Sequence, residues 1–115
     1  MAQRTELVQG TLDMLVLRTL CLGPLHGYGI AKSIQQVSNE SLQIEFGSLY
    51  PALRRLELKG WISAKWETGK DRKREFKFYR LTPAGRERLA DEGSNWKRLV
   101  HAIDRIMWPA AEEES

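Results

Sequence analysis

Arg54, Arg55, Lys70, Arg72, Lys73 and Arg74 crowd two short stretches of a chain of 115 residues. A guanidinium is a planar fork that can bridge O6 and N7 of guanine or grip a phosphate; an ammonium is a compact point charge suited to phosphate. Ser48, Tyr50 and Pro51 stand just ahead of the first arginine pair, and the Tyr50 hydroxyl can reach a phosphate or a base edge. Between residues 54 and 80 ten Lys/Arg meet four Asp/Glu, a local net of +6 in a chain of total charge +3, so the rest carries −3. A basic segment on a background of opposite sign is the footprint of a surface that meets a polyanion, a plain solvated face being the alternative.

Position decides whether such side chains converge. In EFGSLYPALRRLELKGW, residues 45–61, the spacing predicts a helix: with Leu49 at 0°, Ala52, Leu53 and Leu56 fall within about 60° of it, and Pro51, Arg54 and Arg55 lie opposite. Ser48 is the expected N-cap, which puts Pro51 in the first turn, where its missing N–H costs nothing. Gly60 ends the helix. Residues 61–67 and 73–81 are β-rich runs joined through 68–72, a hairpin with a basic tip. Leu58 also points outward from the helix and is expected to pack against this hairpin. Tyr79 and Leu81 alternate inward on the second strand.

The flanking elements frame that pair. Residues 12–22 hold eight apolar side chains in eleven, wider than the stripe of about 100° that a surface helix needs, so two partners are expected: the core and a second subunit. Gly23-Pro24 ends it. A second helix over 27–37 turns Ile30, Ala31, Ile34 and Val37 to one face, with His26 helping it begin. Residues 38–47 alternate Leu42, Ile44 and Phe46 with polar neighbours and read as an extended connector or short strand. Thr82-Pro83 opens a last helix by cap and first-turn proline. Its stripe runs through Leu89, Trp96, Val100, Ile103 and Met107, with Leu99 and Ile106 beside it and a possible kink at residues 91–94.

Helix, helix, helix, hairpin, helix is the order of a winged helix: a mainly α fold, a winged helix-turn-helix with a small β-hairpin plus a C-terminal dimerisation helix. The expected organisation is a DNA-binding unit over 1–81, a dimerisation helix over 82–108 packed on it, and a disordered acidic tail over 109–115. HGYGI (26–30), GSLYPALRRLELKGWI (47–62), the basic hairpin and FYRLTPAGRERL (78–89) together resemble the PadR family of bacterial transcriptional regulators, over about residues 7–90. The resemblance implies a homodimeric winged-helix regulator, usually a repressor, on a palindromic operator, dimerising through its first and last helices.

By that likeness Ser48, Tyr50, Pro51 and Arg54 match the DNA-facing part of the recognition helix. Charge and geometry extend the set to Arg55 and the hairpin's Lys70, Arg72, Lys73 and Arg74. Tyr28 reaches a backbone phosphate or belongs to the core. The expected dimer interface is Leu12, Met14, Leu17, Trp96, Val100, Ile103 and Met107. Some relatives sense small aromatic molecules between the first and last helices; the corresponding pocket here would be lined by Met14, Trp96 and Val100. The competing readings are a winged-helix module for protein partners and a small-molecule-binding dimer with weak DNA contact.

Other chemistries find little support in the residues. Cys21 is the sole cysteine, expected to be a buried inert thiol in a reducing cytoplasm. His26 and His101 have no ligand at metal-binding spacing, and no nucleophile, phosphate loop or paired carboxylates occur in a catalytic frame. The expectation is therefore no metal, no cofactor and no enzyme. No apolar run approaches the roughly 20 residues of a membrane span, and the N-terminus has no signal-peptide core.

Overall fold

Apolar stripes on three helices and one side of a hairpin close on each other in the computed structural model, which describes residues 9–70 and 72–109. The order is α1 (Gln9–Thr19), a 3-10 turn (Leu20–Leu22), β1 (Leu25–His26), α2 (Gly27–Val37), α3 (Phe46–Leu58), β2 (Ile62–Thr68), β3 (Glu75–Leu81) and α4 (Pro83–Met107). Leu12, Val16, Leu17 and Leu20 meet Ile30, Ala31 and Ile34 of α2 and Leu49, Ala52, Leu53 and Leu56 of α3, with Ile62 and Tyr79 closing the sheet side. Burial is the main cause raising the Tyr79 phenol above its ordinary pKa.

The sheet is antiparallel, in the order β1-β3-β2. Ile62 pairs with Leu81, Ala64 with Tyr79 and Thr68 with Glu75, and β1 adds Leu25 opposite Tyr79 and His26 opposite Phe78. The winged-helix expectation is met, with this third short strand in addition.

Several local expectations are corrected. The first helix gives way at Leu20 to a 3-10 turn. Val37 is 84% exposed at the end of α2, so that helix buries Ile30, Ala31 and Ile34 without it. Residues 42–45 form no strand; Leu42 and Ile44 pack on the core as irregular chain, and Phe46 is the first residue of α3. The cap of α3 is Glu45, through its backbone: Ser48 and Leu49 N–H donate to its carbonyl at 3.0 and 2.9 Å. Ser48 is thus inside the helix and Pro51 lies in the second turn, where it removes the N–H that Gly47 would otherwise receive.

Thr82 caps α4 as expected. Its hydroxyl accepts from Gly85 N–H at 3.0 Å and donates to the Gly60 carbonyl at 2.7 Å, tying the start of α4 to the end of α3. A β-carbon on Gly85 would collide with the Trp61 carbonyl, so only glycine permits this approach. Trp61 is held by two cations, Lys59 Nζ at 4.9 Å and the Arg88 guanidinium at 4.8 Å from the ring centre. The helix then runs unbroken through Gly93. From Gly93 to Met107 every residue but Val100 is exposed. The expected acidic tail lies, apart from Pro109, outside the described residues.

Candidate nucleic-acid interface

One exposed ridge of α3 carries Phe46, Tyr50, Arg54 and Leu58, each four residues from the last and so on a row that winds gradually round the helix, from beside the core face at Phe46 to the side opposite it at Leu58. Phe46 is 43% exposed, Tyr50 50% and Leu58 75%, and Arg54, Ser48 and Pro51 are exposed with them. Leu58 does not pack against the hairpin as expected. The opposite face of α3 is fully committed to the core, so the ridge cannot turn inward without unfolding the helix.

Arg55 behaves differently from its neighbour. Its Nη2 donates to Asp13 Oδ1 of α1 at 2.9 Å, and its Nε is buried without a hydrogen-bond partner. Arg55 thus ties α3 to α1 and, with its side chain 32% exposed, presents less of itself to solvent than Arg54. Helical phase sends it outward because it lies on the flank of the helix, where α1 passes.

The mount for the ridge comes from the HGYG stretch. His26 Nδ1 accepts from Gly29 N–H at 3.0 Å and caps α2. Gly27 is buried, and a β-carbon there would stand 2.8 Å from the Tyr50 hydroxyl oxygen, so its missing side chain makes room for Tyr50. Tyr28 is 56% exposed, which removes it from the core. Its ring stacks on Phe46 at 6.3 Å and 17°, and Phe46 stacks on Tyr50 at 5.8 Å and 26°. Lys32 Nζ lies 5.7 Å from the Tyr28 ring centre. Phe46 is invisible as a site residue in the sequence, since its alternation with Ile44 suggests a strand.

Tyr28 and Tyr50 face the hairpin across a cleft of about 570 Å³ whose far side is Trp66, Phe76 and Lys77. Lys77 reaches back to Glu57 of α3 at 3.4 Å, a partly exposed ion pair between hairpin and helix. The loop between the strands is longer than expected and includes Lys73 and Arg74, which the β-rich run over 73–81 places in the second strand. Gly69 N–H donates to the Arg74 carbonyl at 2.7 Å, and Arg72 takes a left-handed φ of 57°. Lys70, Arg72, Lys73 and Arg74 are all exposed, so the hairpin tip beyond the cleft concentrates cationic side chains.

Residues 16–91 match the model of the Transcriptional regulator PadR-like family. The chain belongs to the PadR-like family of transcriptional regulators. A protein of Lysinibacillus sphaericus is 32% identical over 104 residues, 90% of this chain and 94% of its own. The crystal structure of a PadR family transcriptional regulator from Eggerthella lenta is 33% identical with a TM-score of 0.74, covering 88% of this chain and 85% of that one. The structure of a transcriptional regulator from Clostridium thermocellum is 28% identical with a TM-score of 0.77, covering 84% and 93%. PadR-like proteins are as a class regulators rather than enzymes. Among the described residues no cluster of metal-ligating side chains occurs, and no helix is long and apolar enough to cross a membrane.

Within this PadR-like fold the expected interface residues divide. Leu12 and Leu17 are 5% and 1% exposed and belong to the chain's own core, which corrects their place in a dimer contact. Met14 and Val100 are half-buried, whereas Trp96, Ile103 and Met107 are exposed on α4 together with Leu99 and Ile106. Cys21 is half-buried and not sealed in the core.

Proposed function

We propose that this PadR-like protein is a cytoplasmic, homodimeric repressor that binds an inverted-repeat operator, with α3 in the major groove and the hairpin on the adjoining backbone. The observation that carries the reading is the α3 ridge, where Tyr50 and Arg54 stand exposed beside a hairpin that Lys77 links to the same helix and whose tip is cationic. Arg54 reads a base edge; Ser48, Tyr50 and Pro51 approach the same groove; Tyr28, Lys70, Arg72, Lys73 and Arg74 hold phosphates. Phosphate contacts position the protein and base contacts select the sequence.

The exposed apolar stripe of α4, Trp96, Ile103 and Met107 with Leu99, is the kind of surface that a second subunit covers. A two-fold dimer then sets two α3 helices about one turn of DNA apart, roughly 34–36 Å. A small aromatic effector held by Met14, Trp96 and Val100 between α1 and α4 completes the reading, releasing the operator when it binds.

A salt titration of duplex binding, using fragments from upstream of the protein's own gene, is the test. Affinity for a specific duplex falls linearly on a log–log plot, by about 0.9 per phosphate neutralised. Absent or salt-insensitive binding would sink the reading. Arg54→Ala costs about 1 to 3 kcal/mol and relaxes preference at one operator position, whereas Arg72→Ala or Arg74→Ala weakens all sequences alike.

A further inference from the structure

We infer that Phe46 is a specificity-determining residue that reads a thymine methyl group in each operator half-site; the inference rests on the DNA reading above. Phe46 is the first residue of α3, and the N-terminal residues of a recognition helix reach furthest toward the base edges. It stands on the same ridge as Tyr50 and Arg54 and is 43% exposed, an unfavourable position for a benzyl group in water. Tyr28 on one side and Tyr50 on the other stack against it, which favours this placement of its ring before any partner arrives. Unlike both neighbours it has no hydroxyl, and the surface it presents is purely apolar. Among the four bases only thymine offers an apolar group at the major-groove edge, its C5-methyl. A preplaced apolar ring therefore selects T over C, whose edge at that point is bare.

The test first selects duplexes from a random pool with the full-length protein. Each thymine of the enriched duplex is then replaced singly by deoxyuridine, which removes the methyl and nothing else. The wild type loses about fourfold in affinity at one thymine per half-site, the effect of withdrawing one methyl-sized apolar group. Phe46→Ala binds the parent duplex more weakly and shows no further loss from deoxyuridine at that position, while its responses elsewhere match the wild type. Phe46→Leu, which keeps an apolar side chain, retains part of the discrimination, and circular dichroism with thermal melting verifies that both variants fold. If no thymine is sensitive, or if Phe46→Ala keeps the full deoxyuridine response at every position, the inference is overturned. If no duplex is enriched at all, the DNA reading itself fails, and this inference with it.

Discussion

Arg54 and Arg55 are adjacent, chemically identical and differently employed. Arg54 is exposed, whereas Arg55 is bound to Asp13, forty-two residues away in sequence. Both partners of that ion pair are about two-thirds to three-quarters buried, so the pair is screened less than a surface bridge. Arg55→Ala is expected to lower stability by about 1.5 to 3 kcal/mol, the usual worth of a hydrogen bond to a charged group. Base preference should be unchanged. A denaturant melt together with the selected-duplex assay distinguishes the two outcomes: lost stability with intact preference supports the tie to α1, and the reverse would keep Arg55 in the DNA-facing set. Helical phase alone could not separate these arginines, because it shows which way a side chain leaves its helix and not which other helix passes there.

Helices proved legible where their signals are local. The α2 bounds follow from periodicity, and Thr82-Pro83 marks the start of α4 through a side-chain cap that forms as expected. The start of α3 misleads for the complementary reason: Glu45 caps through its backbone without a side-chain hydrogen bond, so no cap residue advertises it, and Ser48 with Pro51 imitates a later beginning. The apolar width of α1 was legible as well, yet sequence could not divide it between the core and an outer partner; Leu12 and Leu17 went to the core. Gly85 is the element-scale residue with the largest predicted effect. Gly85→Ala must push α4 away from the Trp61 carbonyl, breaking the Thr82 bond to Gly60 and displacing Arg88 from Trp61. A loss of about 3 kcal/mol or more is expected by equilibrium unfolding, at the upper end for overpacking a tight contact. An alanine variant as stable as the parent would mean that the two segments part without cost.

At the scale of the molecule, α4 extends well beyond the core it starts from: twenty-five residues span about 37 Å, and the structure measures 66 × 36 × 22 Å. Its first turns are the anchored part, through buried Gly85 and partly buried Leu89. Analytical ultracentrifugation at micromolar concentration should give a dimer. Trp96→Glu combined with Ile103→Glu should shift it toward monomer, and should weaken operator binding far more than binding of a single half-site. A wild-type protein that sediments as a monomer would refute the assignment of the α4 stripe to a second subunit. The apolar stripe of α4 was legible because exposure does not alter periodicity; what covers it is not written in one chain.

In the proposed dimer the joint at Thr82 and Gly85 would also set a length scale on the DNA. With the root of α4 fastened to the end of α3, a dimer made through α4 would act as a caliper whose jaws are the two α3 helices. Such a caliper tolerates changes of base at unread positions far better than a change of gap. One base pair inserted at the operator centre would swing one half-site by about a tenth of a turn away from its jaw, and either the DNA must untwist or one jaw must let go.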